Sequence, residues 1–468
     1  MKESLRRILT GTCAMAMIVT AGGLTGCGPK EPAGSKTESK EEEGTFKLTG
    51  DYDFGGETIT IKSIWPTAWV LDKAPENDGE DLLLEWQEAV EKAYHCKLAV
   101  EPLTPSDTQN SLINRLMSGD KVADFFDCQR QDVEKMRLSG NYLVDLNTLA
   151  SLNLKDEHYD KAVLEAETFD GKTYACVSDR PDVQAVYHVN MDLLKTLDLP
   201  DKDKLYDLVF EKKWNYEKFV EFCAAATKDL NGDGYMDNAD QYGAALHGEA
   251  LLTMLHNNGV NLIEKQADGT MKYTLNNQNA IDTINYIKDK LVTPGYVMPL
   301  QVETEYLRQF QDGKLLMVPG PYWYAYSNFK EVEFELGLVP VPLGSNGTDY
   351  STINGSWRRM FCIPTTNSDP ERAGAIIQAY TQLTSINNDL ANQEIKDKTY
   401  AHDENAYKVY EMVSKLGFYE YAVYENGFGE LMGIPSEGAF IPESSIAAIL
   451  EAKDSQMKLL VDEVYNKK

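Results

Sequence analysis

Beyond its first two dozen residues the chain has no apolar run of bilayer length and no cluster of basic residues. Acidic residues outnumber basic ones 74 to 45, a formal charge of −29, so a phosphate backbone would be repelled and nucleic acid is excluded as a partner. The same balance keeps an exported protein soluble. Histidine is scarce: His95, His158, His188, His247, His256 and His402 are scattered without metal-ligand spacing. No G-x-S-x-G elbow, H-E-x-x-H pair or phosphate-cradling G-x-x-x-x-G-K loop occurs, which removes three large enzyme classes. Glycoside hydrolysis needs two carboxyls flanking one bond, and nothing in the sequence picks out such a pair.

What the chain does have begins at its start. Lys2, Arg6 and Arg7 precede an apolar run from Ile8 to Val19, followed by Leu24-Thr25-Gly26-Cys27. The apolar run is shorter than the ~20 residues of a bilayer span, so the pattern is that of a secretory signal rather than a transmembrane anchor. A cysteine at the cut resembles the bacterial lipoprotein box, which implies removal of residues 1–26, lipidation of Cys27 and an outward-facing lipid anchor. Residues 28–44 are polar and almost without apolar side chains, so 27–50 is expected to be a flexible tether. Cys13 leaves with the signal; Cys96, Cys128, Cys176, Cys223 and Cys362 remain, an odd number with no C-x-x-C spacing. Free buried thiols are expected rather than a disulfide framework.

About 420 residues follow the tether, more than one core usually organises, so two lobes are expected. Thr58–Ile64 is β-branched and ends at Trp65-Pro66. Leu82–Tyr94 carries apolar residues at helical spacing, Lys97–Pro102 is a second strand candidate, 107–118 a helix ending at Gly119, and Ala123–Cys128 a buried strand. Strand, helix, strand, helix, strand opens a parallel α/β sheet. Gly140 and Gly171 suit tight turns. Asp369-Pro370 starts a helix, with Ser368 and Glu371 at capping-box spacing and Ala373, Ile376, Ile377, Tyr380 and Leu383 on one stripe. A last amphipathic helix is expected from about Ser445.

SGDKVADFF, LSGNYLVDLNTL from Leu138, FDGKTYACVSD from Phe169, AVYHVNMDLLK from Ala185, WNYEKFVEFC from Trp214, FQDGKLLMVPGPYW from Phe310, LGLVPVPLGSNG from Leu336 and IPTTNSDPERAGAIIQAY from Ile363 follow one another. In this order and spacing they resemble the extracellular solute-binding proteins of ABC importers, especially the family 1 carbohydrate binders. The resemblance implies an α/β fold of two discontinuous lobes joined by crossovers near 174–187 and 355–364, with the ligand in the cleft. Lobe 1 would take 51–180 and 356–430, lobe 2 would take 181–355, and 431–468 would pack on lobe 2. It also implies a monomer that hands an oligosaccharide to membrane permease and ATPase subunits, with no catalysis.

Flat sugar faces stack on aromatics, and ligands of open α/β sheets sit beyond the carboxyl ends of strands. That rule selects Trp65, with Trp69 close by, and Asp127 and Gln129. Asp179 and Arg180 fall in the first crossover, and Trp357 and Arg358 in the second. Tyr322 and Trp323 match the family's aromatic platform. An Arg358 or Arg359 fork aimed into the cleft would grip a carboxylate, so a uronate-bearing sugar is one alternative, and a peptide another. A secreted glycoside-active enzyme or a surface scaffold would fit the tether equally well. Finally, Asp229, Asn231, Asp233, Tyr235, Asp237 and Asp240 match the EF-hand spacing, so a structural Ca²⁺ ion is expected in an isolated loop, with Asp240 in place of the usual Glu. The competing reading is a solvated acidic turn.

Overall fold

The computed structural model describes residues 46, 48 and 50–466, apart from 70–73, 76–77, 105–110, 179–182, 299–302, 355–358, 395, 398–399, 401–402 and 425–427. The chain divides into two units, 1–44 and 45–468, and only the second is described. The expected signal peptide, Cys27 and most of the expected tether therefore lie outside the described residues, as do Asp179, Arg180, Trp357 and Arg358.

The first sheet is ordered β13-β3-β1-β2, from β1 (Thr58–Ser63), β2 (Lys97–Pro102), β3 (Phe125–Gln129) and β13 (Arg359–Cys362). β1 runs parallel to β2 and β3, and β13 runs antiparallel to β3. Parallel pairing of β1 and β2 needs a crossover helix, and Asp78–Ala93 supplies it, starting four residues before the expected Leu82. Its Trp86 is buried and donates Nε1–H to Ala379 O of the helix Pro370–Glu394 at 3.2 Å. The expected stripe of that long helix, Ala373 to Leu383, lies in the same core. Each large side chain buried here contributes ~1.5–3 kcal/mol. The expected capping box does not form: Glu371 accepts from Ala150 N and Ser151 N at 3.0 and 2.8 Å, tying the helix start to a distant loop.

One short hairpin, β4 (Thr168–Phe169) with β5 (Lys172–Thr173), turns through Asp170-Gly171, both left-handed at φ 51° and 76°. Gly140 serves differently. Its backbone is not left-handed; a Cβ there would lie 2.5 Å from the Tyr142 ring, while Asn141 takes the positive φ.

The second sheet is ordered β11-β6-β10-β7, from β6 (Val186–Asn190), β7 (Tyr242–Ala244), β10 (Leu315–Gly320) and β11 (Leu336–Pro340). β6 is antiparallel to both neighbours, and β7 is parallel to β10. A pair formed by β8 (Ile263–Lys265) and β9 (Met271–Tyr273) flanks it, as does the parallel pair of β12 (Thr352–Ile353) and β14 (Gly417–Phe418). The helix Ile446–Val461, capped by Ser445, buries Ile446, Leu450, Met457 and Val461 against this second core.

Among the described residues the chain changes core three times. Val177 lies in the first core and Val183 in the second; Ile353 lies in the second and Met360 in the first. The third change corrects the expectation that 356–430 belongs to lobe 1. Leu383 is the last of that stretch in the first core, whereas Tyr400, Val409, Tyr410, Phe418 and Ala422 are in the second. The long helix bridges the two, since Asn392 Oδ1 near its end accepts from Tyr410 Oη at 2.7 Å. Cys96, Cys128, Cys176, Cys223 and Cys362 are all buried free thiols.

Candidate functional site

In the first lobe, the carboxyl ends of β1, β2 and β3 share an edge with the start of β13, where Gln129 is opposite Arg359. Cys176 pairs antiparallel with Phe361, so residues 174–178 run toward this same edge. In the second lobe, the corresponding edge holds the start of β6 and the end of β10. Tyr322 N donates there to Val183 O at 3.0 Å, and Ala185 N donates to Thr352 Oγ1 at 3.0 Å. The first two crossings therefore leave side by side, and the two edges border the same place.

The first edge is built around a buried carboxylate. Asp127 is 0% exposed and accepts from Ser63 Oγ at 2.5 Å, Trp69 Nε1 at 2.6 Å and Arg359 Nη2 at 2.6 Å, all on Oδ2, and from Arg359 Nε at 3.0 Å on Oδ1. Arg359 Nη1 donates to Tyr380 Oη at 2.9 Å, and Tyr380 Oη donates to Ala68 O at 2.7 Å. Tyr380 also stacks on Trp69 at 3.7 Å. This network pins the short 3₁₀ turn Pro66–Ala68, which begins at half-buried Trp65, whose N–H donates to Ser63 Oγ at 2.8 Å. Arg359 also lies 5.8 Å from the Trp65 ring.

Asp127 is thus corrected from a ligand contact to a buried hub that holds Trp65 and Arg359 in place, and Trp69 is core. Arg359, considered above only as a carboxylate grip, has its charge matched by Asp127. Gln129 is half-buried at the end of β3. Its Oε1 accepts from Gln131 Nε2 at 2.5 Å, and its N–H donates to Asp132 Oδ2 at 3.2 Å. Burial pushes the Asp132 carboxyl up to about 6.

On the second edge the 3₁₀ turn Tyr322–Ala325 decides which aromatics face out. Tyr322 is 5% exposed and packs on Tyr410 at 4.9 Å, so it is core rather than platform. Trp323 is 37% exposed, Tyr326 is also exposed, and Trp323 lies edge-on to buried Tyr324 at 4.7 Å. Tyr326 is not among the residues the sequence pattern selects, although a turn with three residues per repeat puts i and i+3 on one side. Behind the turn, buried His188 donates Nε2–H to Pro321 O at 3.0 Å, and burial pushes its pKa down to about 4, so it is a neutral support.

The acidic loop closes on itself. Asp229 accepts from Gly232 N and Gly234 N, Asn231 from Asp233 N, Asp233 from Tyr235 N, Asp237 from Ala239 N, and Asp240 from Leu230 N and Asp237 N, at 2.6–2.9 Å. Gly234 takes the expected left-handed turn at φ 82°, and Tyr235 is 78% exposed. Among the described residues no three His, Cys, Asp or Glu side chains are grouped to hold a metal ion. No described helix is long and apolar enough to cross a membrane.

Solved structures share this architecture. A cyclo/maltodextrin-binding protein complexed with maltotetraose is similar at a TM-score of 0.61 and 14% identity, over 89% of this chain and 99% of that one. The cyclic alpha-maltosyl-1,6-maltose binding protein from Arthrobacter globiformis gives 0.60 and 15%, over 87% and 99%. The maltose/maltodextrin-binding domain from Bdellovibrio bacteriovorus bound to maltotriose gives 0.56 and 15%, over 87% and 99%. These likenesses establish the two-lobed periplasmic-binding-protein fold. A search of curated proteins by sequence finds no match. The sequence profile of bacterial extracellular solute-binding proteins, which bind and do not transform their solutes, matches residues 85–393, and the chain belongs to that family.

Proposed function

We propose that the protein is a lipoprotein, anchored through Cys27, that captures an oligosaccharide by closing its lobes and delivers it to the permease and ATPase of an ABC importer. The observation that carries this reading is the placement of aromatics on two edges beside the same pair of crossings: Trp65 braced by Asp127 and Arg359, and Trp323 exposed on its turn. The names of the structural relatives, binders of maltotetraose, maltotriose and a cyclic maltosyl-maltose, support a sugar as the solute. Ligand bridging both edges would favour the closed form by its differential affinity. Gln129 would add a polar contact, and Asp179, Arg180, Trp357 and Arg358 are proposed to complete the site from the crossings. Arg359 is matched internally by Asp127, so a uronate would have to be gripped by Arg180 or Arg358 instead.

Titration calorimetry against maltotriose and other oligosaccharides tests the reading. Trp323→Ala is expected to weaken binding roughly 5- to 10-fold, for a lost stacking contact of ~1 kcal/mol. Unchanged affinity would remove Trp323 from the site.

A structural Ca²⁺ ion at 229–240 belongs to the reading only if Asp229, Asn231, Asp233, Asp237 and Asp240 turn toward one point. As arranged, their oxygens accept backbone N–H groups, and among the described residues no three carboxylates are grouped to hold an ion. This predicts the same melting temperature in millimolar calcium and in chelator. A rise of several degrees with calcium would show that the side chains reorganise around the ion.

A further inference from the structure

Beside the crossings the two lobes meet in a buried joint of charges and rings. Lobe 1 contributes the helix Arg130–Leu138 and the chain through β4. Arg130, Glu134 and Glu167 are fully buried. Arg130 Nε donates to Glu167 Oε1 at 2.6 Å, Arg130 Nη2 lies 3.7 Å from Glu134 Oε1, and Glu134 also pairs with Arg137.

The cover comes from lobe 2. Tyr419 lies 4.5 Å and Tyr421 5.5 Å from the Arg130 guanidinium, and Tyr419 Oη donates to Glu167 Oε1 at 3.3 Å. Lys265 of β8 donates Nζ to Glu165 O at 2.7 Å and to Thr168 O at 3.0 Å. Phe169 packs against both cores, with Arg137 at 3.8 Å on its ring and Tyr465 stacked at 6.4 Å.

We infer that this joint is the pivot on which the lobes turn, staying shut while the cleft opens; the inference rests on the reading that the lobes close on a solute. Position is the first argument. Arg130 directly follows Gln129, which faces Arg359 where the second crossing enters lobe 1. Tyr419 directly follows β14, the partner of β12, from which that crossing departs. Rotation about an axis through the crossings moves atoms there least. Chemistry is the second argument. Separation at this point would break the Lys265, Tyr419 and Phe169 contacts together. Yet a ring over a cation and an ammonium on main-chain carbonyls tolerate a change of angle better than a bidentate pair does.

The test joins the lobes covalently at the joint. Thr168→Cys and Lys265→Cys are introduced together in the full chain with Cys13 and Cys27 replaced by serine, where the five described native thiols are buried, and linked with a short bismaleimide in the absence of any sugar. A pivot predicts efficient linking and a radius of gyration, by small-angle scattering, equal to that of the unlinked protein. A linked form more compact than the unlinked one, or no linking in a variant that melts like the wild type, would overturn the proposal. Tyr419→Leu gives a second readout: a broader distribution of interatomic distances in the ligand-free protein supports the pivot, and an unchanged distribution counts against it. Neither readout uses a ligand, so a chain that binds no sugar would fail the capture reading and leave the pivot standing.

Discussion

Asp127→Ala is expected to lower the free energy of unfolding by about 3–5 kcal/mol, among the largest effects of any single substitution outside the apolar cores. The carboxylate is fully buried and holds four donors from Ser63, Trp69 and Arg359. Removing it strands the Arg359 guanidinium, which keeps Tyr380 as a hydrogen-bond acceptor but loses the carboxylate that balances its charge. Much of the loss is the cost of that uncompensated charge rather than the net worth of the pair. Asp127→Ala combined with Arg359→Met should therefore recover a large part of it, giving a coupling energy well above the few tenths of a kcal/mol of independent sites. Denaturant unfolding of the wild type, both single variants and the double variant measures this directly. Additive losses would show that Asp127 and Arg359 do not act as a pair.

The second large effect is a dependence of stability on pH centred on Glu420. This side chain is 2% exposed, with Oε2 accepting from Leu262 N at 2.9 Å and Oε1 from Ala422 N at 3.2 Å. Burial pushes its pKa from the usual 4.5 up to about 7, with nearby Glu264 acting in the same direction and the backbone donors acting against it. The folded state thus holds a proton that the unfolded state releases near pH 4.5. The stability Glu420 contributes is full below that pH and is lost as pH rises through about 7. The difference corresponds to ~3 kcal/mol. Glu420→Gln keeps the shape without the titration, so the wild type should lose up to ~3 kcal/mol relative to that variant between pH 5 and pH 8. Comparing the two cancels other groups that titrate in the same window, such as Asp132. Parallel stability curves would show that Glu420 is ionised throughout.

Three strands of the first sheet could be read from the chain: β1 is a β-branched run, β3 an aromatic one, and Lys97–Pro102 appears with the expected ends, whereas β13 lay hidden in the expected second crossover. The third core change was harder to see. Tyr400–Val413 has a helical stripe, but a stripe states that a face is buried and not which lobe buries it. The role of Asp127 was hidden by distance, since Arg359 lies 232 positions away and Trp69 58. Carboxylate, indole and guanidinium look the same in sequence whether they meet each other or a sugar. Strand alternation and turn type decided the rest. The 3₁₀ turn sends Tyr322 inward and Trp323 outward. Spacing at 229–240 suits an ion and a self-capped turn equally, because alternate oxygens serve both.

The measurement that tests the central claim most directly is small-angle scattering of the chain during titration with maltotriose and a panel of neutral and uronic oligosaccharides, with each sugar recovered and analysed afterwards. The account predicts that at least one neutral oligosaccharide compacts the protein saturably and is recovered intact. A sugar that binds without compaction, a sugar returned cleaved, or no response to any of them would contradict capture by lobe closure.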